Sequence, residues 1–418
     1  MIPVEEHLAR CLAAVGPLPV EEVPLLRARG RTLARDVASP VALPGFDNSA
    51  MDGFAVRARE VAGAADDAPV VLPVAGEAAA GASPPRPLAG GAALRIMTGA
   101  PVPEGADAVV PVEWTGGWTE GATVTVRRAP DVGAYVRRAG EDVGLGEIVV
   151  RAGTVLTSRQ VALLAAVGCA KVPVHRAPRV AVLSSGSELV PPDRPLGAGQ
   201  VHDSNGYGLA AAAEALAAVA DYLGIVPDDE AAVRKALEEA GAAADLVVTS
   251  GGVSAGVYDT VKEVLTALGT VRFDRVAMQP GMPQGFGTLG PGGTPVFTLP
   301  GNPVSSMVSF EVFVRPAVRA LAGVPSPADR PQVVAAAATG WTSPRGRRQF
   351  TRAVLDPATG EGDVPVRGLP VVRPVGAQGS HLVADLASAT CLAVVPEGVT
   401  VVRPGDELQC LLFSEMTS

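Results

Sequence analysis

The chain has 418 residues, 48% of them hydrophobic and only 18% charged, so it can bury several cores and should divide into about two to four domains. Its 34 Lys and Arg against 43 Asp and Glu give a net charge of −9, spread without a basic block, which argues against a nucleic-acid-binding protein. No run of about 18 apolar residues occurs, and the start Met1-Ile2-Pro3-Val4-Glu5-Glu6 is acidic where a signal peptide is basic. A cytoplasmic protein that is not integral to a membrane is expected.

Val4, Leu8, Cys11, Leu12 and Val15 recur at helical spacing and predict an N-terminal helix, followed by a Pro-rich stretch and a second short helix. From about Val56 to Arg138 the chain turns to short Val-rich runs separated by Gly and Pro, the pattern of a small β domain. Ile148-Val149-Val150 reads as a strand leading to Ser158 as N-cap, a helix Arg159 to Val167 and Gly168 as its terminator, in a segment expected to rejoin the N-terminal region.

Residues 178–323 alternate strand and helix patterns. Strands are predicted at Arg179 to Ser184, Val247-Val248, Val271 to Met278 and Val296 to Leu299; helices at Asn205 to Ala220, Glu230 to Ala240, Thr260 to Leu268 and Pro303 to Leu321. This alternation predicts a doubly wound, mostly parallel sheet covered on both faces. From Val333 onward short strands and Gly/Pro turns return, the pattern of a C-terminal β-barrel or sandwich, of which the barrel is the expectation taken. The expected fold class is multi-domain α/β plus β. Residues 1–53 with 141–176 form an N-terminal helical linking domain, 54–140 an inserted β domain, 177–326 the central α/β domain and 327–418 the barrel.

Ligands of open α/β sheets bind outside the carboxyl ends of the strands, and here those ends carry small, polar, Gly-rich loops. They are Ser184-Ser185-Gly186-Ser187-Glu188, Thr249-Ser250-Gly251-Gly252-Val253-Ser254-Ala255-Gly256, Gln279-Pro280-Gly281-Met282-Pro283 and Leu299-Pro300-Gly301-Asn302-Pro303-Val304-Ser305. Glycine lets backbone N–H groups approach an anion, hydroxyls add donors, and a helix starting near Pro303 offers its positive end, so a phosphorylated ligand is expected. Asp52, Asp142, Glu188, Asp228, Asp229 and Asp259 stand in turn-like settings, and oxygen ligands beside phosphates suit Mg²⁺, although Asp229 also fits as N-cap of the helix beginning at Glu230. His7, His175, His202 and His381 have no metal-ligand spacing, and Cys11, Cys169, Cys391 and Cys410 have no CxxC spacing, so reduced and mostly buried thiols are expected. No nucleophile elbow or triad is evident, leaving little support for covalent catalysis.

Five motifs together resemble the molybdopterin molybdenumtransferases (MoeA), the family that includes the E domain of gephyrin. They are Pro44-Gly45-Phe46-Asp47-Asn48-Ser49-Ala50-Met51-Asp52-Gly53, Arg95-Ile96-Met97-Thr98-Gly99-Ala100-Pro101-Val102-Pro103, Gly140-Glu141-Asp142, Ser250-Gly251-Gly252-Val253-Ser254 and the Leu299-to-Ser305 loop. The resemblance implies a MogA-like central domain and an elongated homodimer whose cleft joins the α/β domain of one subunit to the N-terminal regions of its partner. It also implies adenylated molybdopterin and molybdate as substrates, Mg²⁺ as cofactor and AMP as product. Carried over by motif, Asp259 and Glu188 would hold Mg²⁺, with Asp228, Asp142, Asp52 and Thr98 lining the cleft. Ser250, Gly251, Gly252, Ser254, Pro300, Gly301, Asn302, Pro303 and Ser305 would bind the pterin nucleotide. Arg275, Gln279, Met282, Arg348 and Ser380 would form the molybdate site.

Two departures stand out. Family members usually carry Lys-Pro-Gly-Lys-Pro where this chain has Gln279-Pro280-Gly281-Met282-Pro283, and codon bias exchanges Lys for Arg rather than for Gln or Met. Ser187 stands where an aspartate is common. The transferase reading leads because four cleft carboxylates are retained. The rival is a gephyrin-like scaffold in which a groove near the barrel docks a receptor or cell-organisation partner, with catalysis reduced or lost.

Overall fold

The computed structural model describes residues 1–81, 85–118, 122–253, 260–356 and 368–413. The helix Val4–Ala13 has Glu5 and Glu6 in its first turn and Arg10 in its last, the charge order that complements a helix dipole. It buries Val4, His7 and Cys11, and both apolar residues join the core that holds Val180, Leu209, Phe297 and Phe313. The N-terminal helix therefore packs on the central α/β unit. Backbone pairing adds to the attachment, since the Ile2 N–H donates to Arg275 O at 2.9 Å.

The linking unit has a small core of its own, formed by Leu25, Leu33, Val150, Leu156, Leu164 and Val174. Val20–Pro24 pairs antiparallel with Lys171–His175, and Ile148–Val150 with Val37–Ala38, so distant segments of sequence close one layer. The second short helix is a single 3₁₀ turn, Leu25–Arg27. The next helix spans Ser158–Ala166 and its cap is Thr157 rather than Ser158, in a reciprocal capping arrangement with Gln160.

Five strands, Gly53–Val56, Val70–Ala78, Ala93–Ile96, Ala108–Pro111 and Thr123–Val126, form the inserted sheet. An isolated bridge joins Thr115, just beyond the outer strand Ala108–Pro111, to Val126 of the other outer strand. Gly53 is required there, because a Cβ would lie 2.0 Å from Val110 O.

The central sheet has six strands in the order Val219–Val226, Arg179–Ser185, Leu246–Ser250, Thr294–Leu299, Pro283–Leu289, Val271–Arg275. The first four are mutually parallel, and Pro283–Leu289 runs antiparallel to both neighbours. The predicted helix Asn205 to Ala220 is corrected: it spans Ser204–Glu214, and Val219–Val226 is an edge strand. Alanine-rich sequence supports a helix through residue 220, but pairing with Arg179–Ser185 overrides that preference. Pro283–Leu289 escapes sequence reading because Gly285 and Gly287 depress strand propensity. A Cβ at Gly287 would sit 2.2 Å from Thr270 O, so close strand approach demands the glycine. The predicted strand Val271 to Met278 divides at Arg275; Met278–Gln279 pairs instead with Arg348 and Gln349 of the C-terminal barrel. The closing helical rod is α-helical at Pro303–Ser309 and Arg315–Leu321 and π-helical at Phe310–Val314.

Beyond it, Gln332–Ala337, Arg348–Asp356, Val371–Pro374, Cys391–Val395 and Glu407–Leu412 form a closed five-stranded barrel. Arg348–Asp356 closes it by pairing with both Val371–Pro374 and Cys391–Val395. Cys11, Cys391 and Cys410 are buried free thiols and Cys169 is half-buried. Among the described residues no helix is long and apolar enough to cross a membrane.

Candidate active site

Because Arg179–Ser185, Leu246–Ser250 and Thr294–Leu299 are parallel, the loops that follow them share one edge of the sheet. The loops touch. The Gly251 N–H donates to Leu299 O at 3.0 Å, a Cβ on Gly251 would fall 2.9 Å from Ser185 O, and one on Gly301 would lie 3.9 Å from Gly251 Cα. Gly251 and Gly252 have φ of 92° and 88°, left-handed values that suit glycine. Val271–Arg275 runs in the same sense as these strands, so the Gln279-to-Met282 turn leaves from the same edge. Ser254 and Asp259 fall outside the described residues.

Asn205, not singled out from sequence, ties two of the loops together. Its Nδ2 donates to Ser250 Oγ and to Gly301 O, each at 2.7 Å. Its neighbour Asp203 is 1% exposed and accepts from Tyr222 Oη at 2.7 Å and from the Gly206 N–H at 2.9 Å. Burial and then the bond to Asp203 push the Tyr222 hydroxyl well above its usual range. Asp203-Ser204-Asn205 before an Ala-rich helix is an N-cap pattern, and that was the signal available in the sequence. Ser184 Oγ and Asn205 Oδ1 are buried here without a partner, which leaves hydrogen-bonding capacity beneath the lip.

Asp228 accepts from Ser185 Oγ at 2.8 Å and from the N–H and Oγ of Ser187 at 3.0 and 2.8 Å. Partial burial raises its pKa, but the three donors outweigh that and hold the carboxylate below its ordinary value. Ser187 is thus a donor to a carboxylate already present, a place where an aspartate would repel Asp228. Glu188 is exposed beside it. Pro300 and Ser305 are buried, whereas Gly301 and Asn302 are exposed at the lip. Ser305 acts from inside the rod, its carbonyl accepting from Ser309 Oγ at 2.7 Å.

Asp52 and Thr98 meet within the N-terminal sheets. The Thr98 N–H and Oγ1 donate to Asp52 Oδ1 at 2.6 and 2.8 Å and lower its pKa, the backbone bond first. Asp142 is exposed, with its N–H on Leu43 O at 3.0 Å. These three residues belong to units other than the sheet edge.

A cavity of about 440 Å³ opens where the Gln279 turn meets the barrel, lined by Gln279, Thr342, Ser343, Arg347, Gln349 and Gln378. Arg347, not Arg348, enters it: Arg347 Nη1 donates to Gln279 Oε1 at 3.1 Å. Arg348 turns away to Glu5 and to Glu397, the latter at 3.0 Å, because consecutive side chains at a strand start face opposite sides. Met282 and Arg275 are outside the lining and face each other, Arg275 Nη2 lying 3.5 Å from Met282 Sδ. Ser380 contributes backbone: its carbonyl accepts from the Val304 N–H at 3.0 Å and anchors the barrel loop to the start of the rod. Among the described residues no group of three His, Cys, Asp or Glu is placed to hold a metal ion.

Three family models match the chain: MoeA N-terminal region (domain I and II) over residues 2–168, a probable molybdopterin binding domain over 181–320, and MoeA C-terminal region (domain IV) over 318–413. Molybdopterin molybdenumtransferase 2 of Mycobacterium tuberculosis is 45% identical over 415 residues, covering 97% of this chain and 98% of its own length. The molybdopterin molybdenumtransferase of Haemophilus influenzae is 37% identical over 400 residues, covering 96% and 95%. The crystal structure of a molybdopterin biosynthesis MoeA protein from Pyrococcus horikoshii is similar with a TM-score of 0.80 at 33% identity, covering 99% of both chains.

Proposed function

The chain belongs to the MoeA family, and from that premise we propose that it is a molybdopterin molybdenumtransferase of molybdenum cofactor biosynthesis, inserting molybdate into adenylated molybdopterin and releasing AMP. The observation that carries this reading is the convergence of the Ser185, Gly251 and Gly301 loops at one sheet edge, with Asn205 joining two of them. Left-handed glycines and small hydroxyl residues there let backbone N–H groups approach a pyrophosphate. Arg347, with neutral donors around it, supplies the oxyanion site a short way along the same edge. Catalysis is then positioning and electrostatic stabilisation rather than covalent chemistry.

Mg²⁺ generally keeps several waters and binds through one or two carboxylates plus substrate phosphates. Glu188, exposed at the lip, and Asp259 would supply that number, and the ion would neutralise charge on the phosphates as AMP leaves. Asp52, Thr98 and Asp142 belong to other units, which supports a homodimer whose partner subunit brings that acidic group to the cleft. A cytoplasmic location accords with four free thiols. Hydroxyls, carboxylates and glycines gathered at one lip have no use in a pure scaffold, so the transferase reading is preferred to receptor docking.

Incubation of the purified chain with adenylated molybdopterin, molybdate and Mg²⁺ should release AMP and yield cofactor that activates a molybdenum-dependent apo-enzyme. Tight substrate binding with no AMP at millimolar molybdate would overturn the proposal. Asp259→Ala should abolish Mg²⁺-dependent release; unaltered release would remove that residue from its assigned role.

A further inference from the structure

Among the described residues lining the barrel-side cavity, Arg347 alone carries a formal charge, and one of its N–H donors is already engaged. Its Nη1 donates to Gln279 Oε1 at 3.1 Å, and Gln279 is held in place by ladder pairing with Gln349 across the boundary between the central unit and the barrel. The Arg347–Gln279 bond uses one of the five guanidinium N–H donors, so an oxyanion that takes the Nη1 edge of Arg347 competes with the Gln279 carbonyl for it. The other amides differ. Gln349 Oε1 accepts from Trp341 Nε1 at 3.3 Å, which orients its NH₂ as a remaining donor, whereas the Gln378 NH₂ is spent on Val375 O at 3.1 Å. Ser343 is 7% exposed and lines the cavity, its N–H is fixed on Thr400 O at 2.9 Å, and its Oγ has no partner.

We infer that Gln279 and Ser343 set the oxyanion affinity of this chain. Gln279 competes for the Nη1 edge of Arg347, and Ser343 supplies the neutral hydroxyl that completes the cradle. The inference rests on the oxyanion site proposed above and goes beyond it by assigning opposite signs to two neighbouring polar side chains. Neither residue acts as an acid or base; Ser343 touches the anion and Gln279 positions the guanidinium.

The test is molybdate binding to the full chain by equilibrium dialysis, with folding of each variant checked by thermal unfolding. Gln279→Met keeps the side-chain length and removes the carbonyl, and should bind molybdate about threefold more tightly. Gln279→Glu should bind at least about tenfold more weakly, since a carboxylate holds the guanidinium harder than an amide does. Ser343→Ala should weaken binding about fivefold, while Ser343→Thr, which keeps the hydroxyl, should restore most of it. Weaker or unchanged binding in Gln279→Met would refute the competitor role, and unchanged binding in Ser343→Ala would refute the donor role. Arg347→Ala separates the two levels. Loss of binding there with silent Gln279 and Ser343 variants sinks only this inference, whereas retained binding sinks the oxyanion site itself.

Discussion

A single amide nitrogen of Asn205 lies 2.7 Å from both Ser250 Oγ and Gly301 O, so two loops from different strands are fixed by one side chain. Asn205→Ala removes both bonds and leaves the buried Ser250 hydroxyl and the Gly301 carbonyl at the lip to find other partners. A loss of about 2 kcal/mol is expected at about 1 kcal/mol per bond, read as a lower denaturant midpoint with unchanged slope. Substrate affinity should fall as well, because the loops lose their spacing. A variant with normal stability and normal KM for adenylated molybdopterin would show that the strap has no function.

Asp52 owes its lowered pKa chiefly to the backbone N–H of Thr98 and then to the Thr98 hydroxyl. Thr98→Val keeps the first donor and deletes the second, so a carboxyl ¹³C titration should find the Asp52 midpoint raised part of the way toward its ordinary value. In the native chain the group is ionised at neutral pH, and the stability it contributes declines only as pH falls below about 4 toward the lowered pKa. An unshifted midpoint in Thr98→Val would assign the whole effect to the backbone.

His7 is 1% exposed, stacks edge-on to Phe313 with ring centroids 4.7 Å apart, and has no hydrogen-bond partner on either nitrogen. Burial lowers its pKa to about 4, with Asp274 raising it and Arg10 lowering it; Asp274 is also bonded by Arg10 at 2.9 Å and Arg272 at 3.0 Å. The folded state therefore binds fewer protons at this site than the unfolded chain between about pH 4 and 6.5, and stability falls as pH drops through that window. Relative to His7→Phe, the native chain should lose about 3 kcal/mol between pH 7 and pH 4. Parallel stability curves for the two proteins would mean that the His7 pKa is the same in the folded and unfolded chain.

Much of this was readable in advance, and what was not has physical causes. The parallel core was legible because buried strands such as Val247-Val248 are apolar on both faces and separated by long helical patterns. Pro283–Leu289 was invisible because its glycines serve close strand approach, a tertiary requirement that resembles a loop in one dimension. Arg347 and Arg348 are equivalent in the sequence, because only the strand register decides which of two adjacent arginines faces the cavity. Asp203 and Asn205 read as ordinary helix-capping residues, and only the fold shows Asn205 reaching Ser250 and Gly301.

The missing lysines of the Gln279-to-Met282 turn lead to unequal expectations. If each charged hydrogen bond contributed roughly 1.5 kcal/mol, two lysines would be worth about 3 kcal/mol, on the order of 100-fold in molybdate affinity. The two positions are not equivalent here, since Gln279 lines the cavity beside Arg347 while Met282 faces Arg275 outside it. Gln279→Lys should lower the molybdate concentration for half-maximal AMP release by about tenfold, and the benefit should shrink at high salt as the added charge is screened. Met282→Lys places its charge against Arg275 and should change that concentration by less than about threefold. Equal effects at both positions would mean that the turn rearranges when substrate binds, with Met282 swinging into the cavity; no effect at either would remove this turn from the oxyanion site.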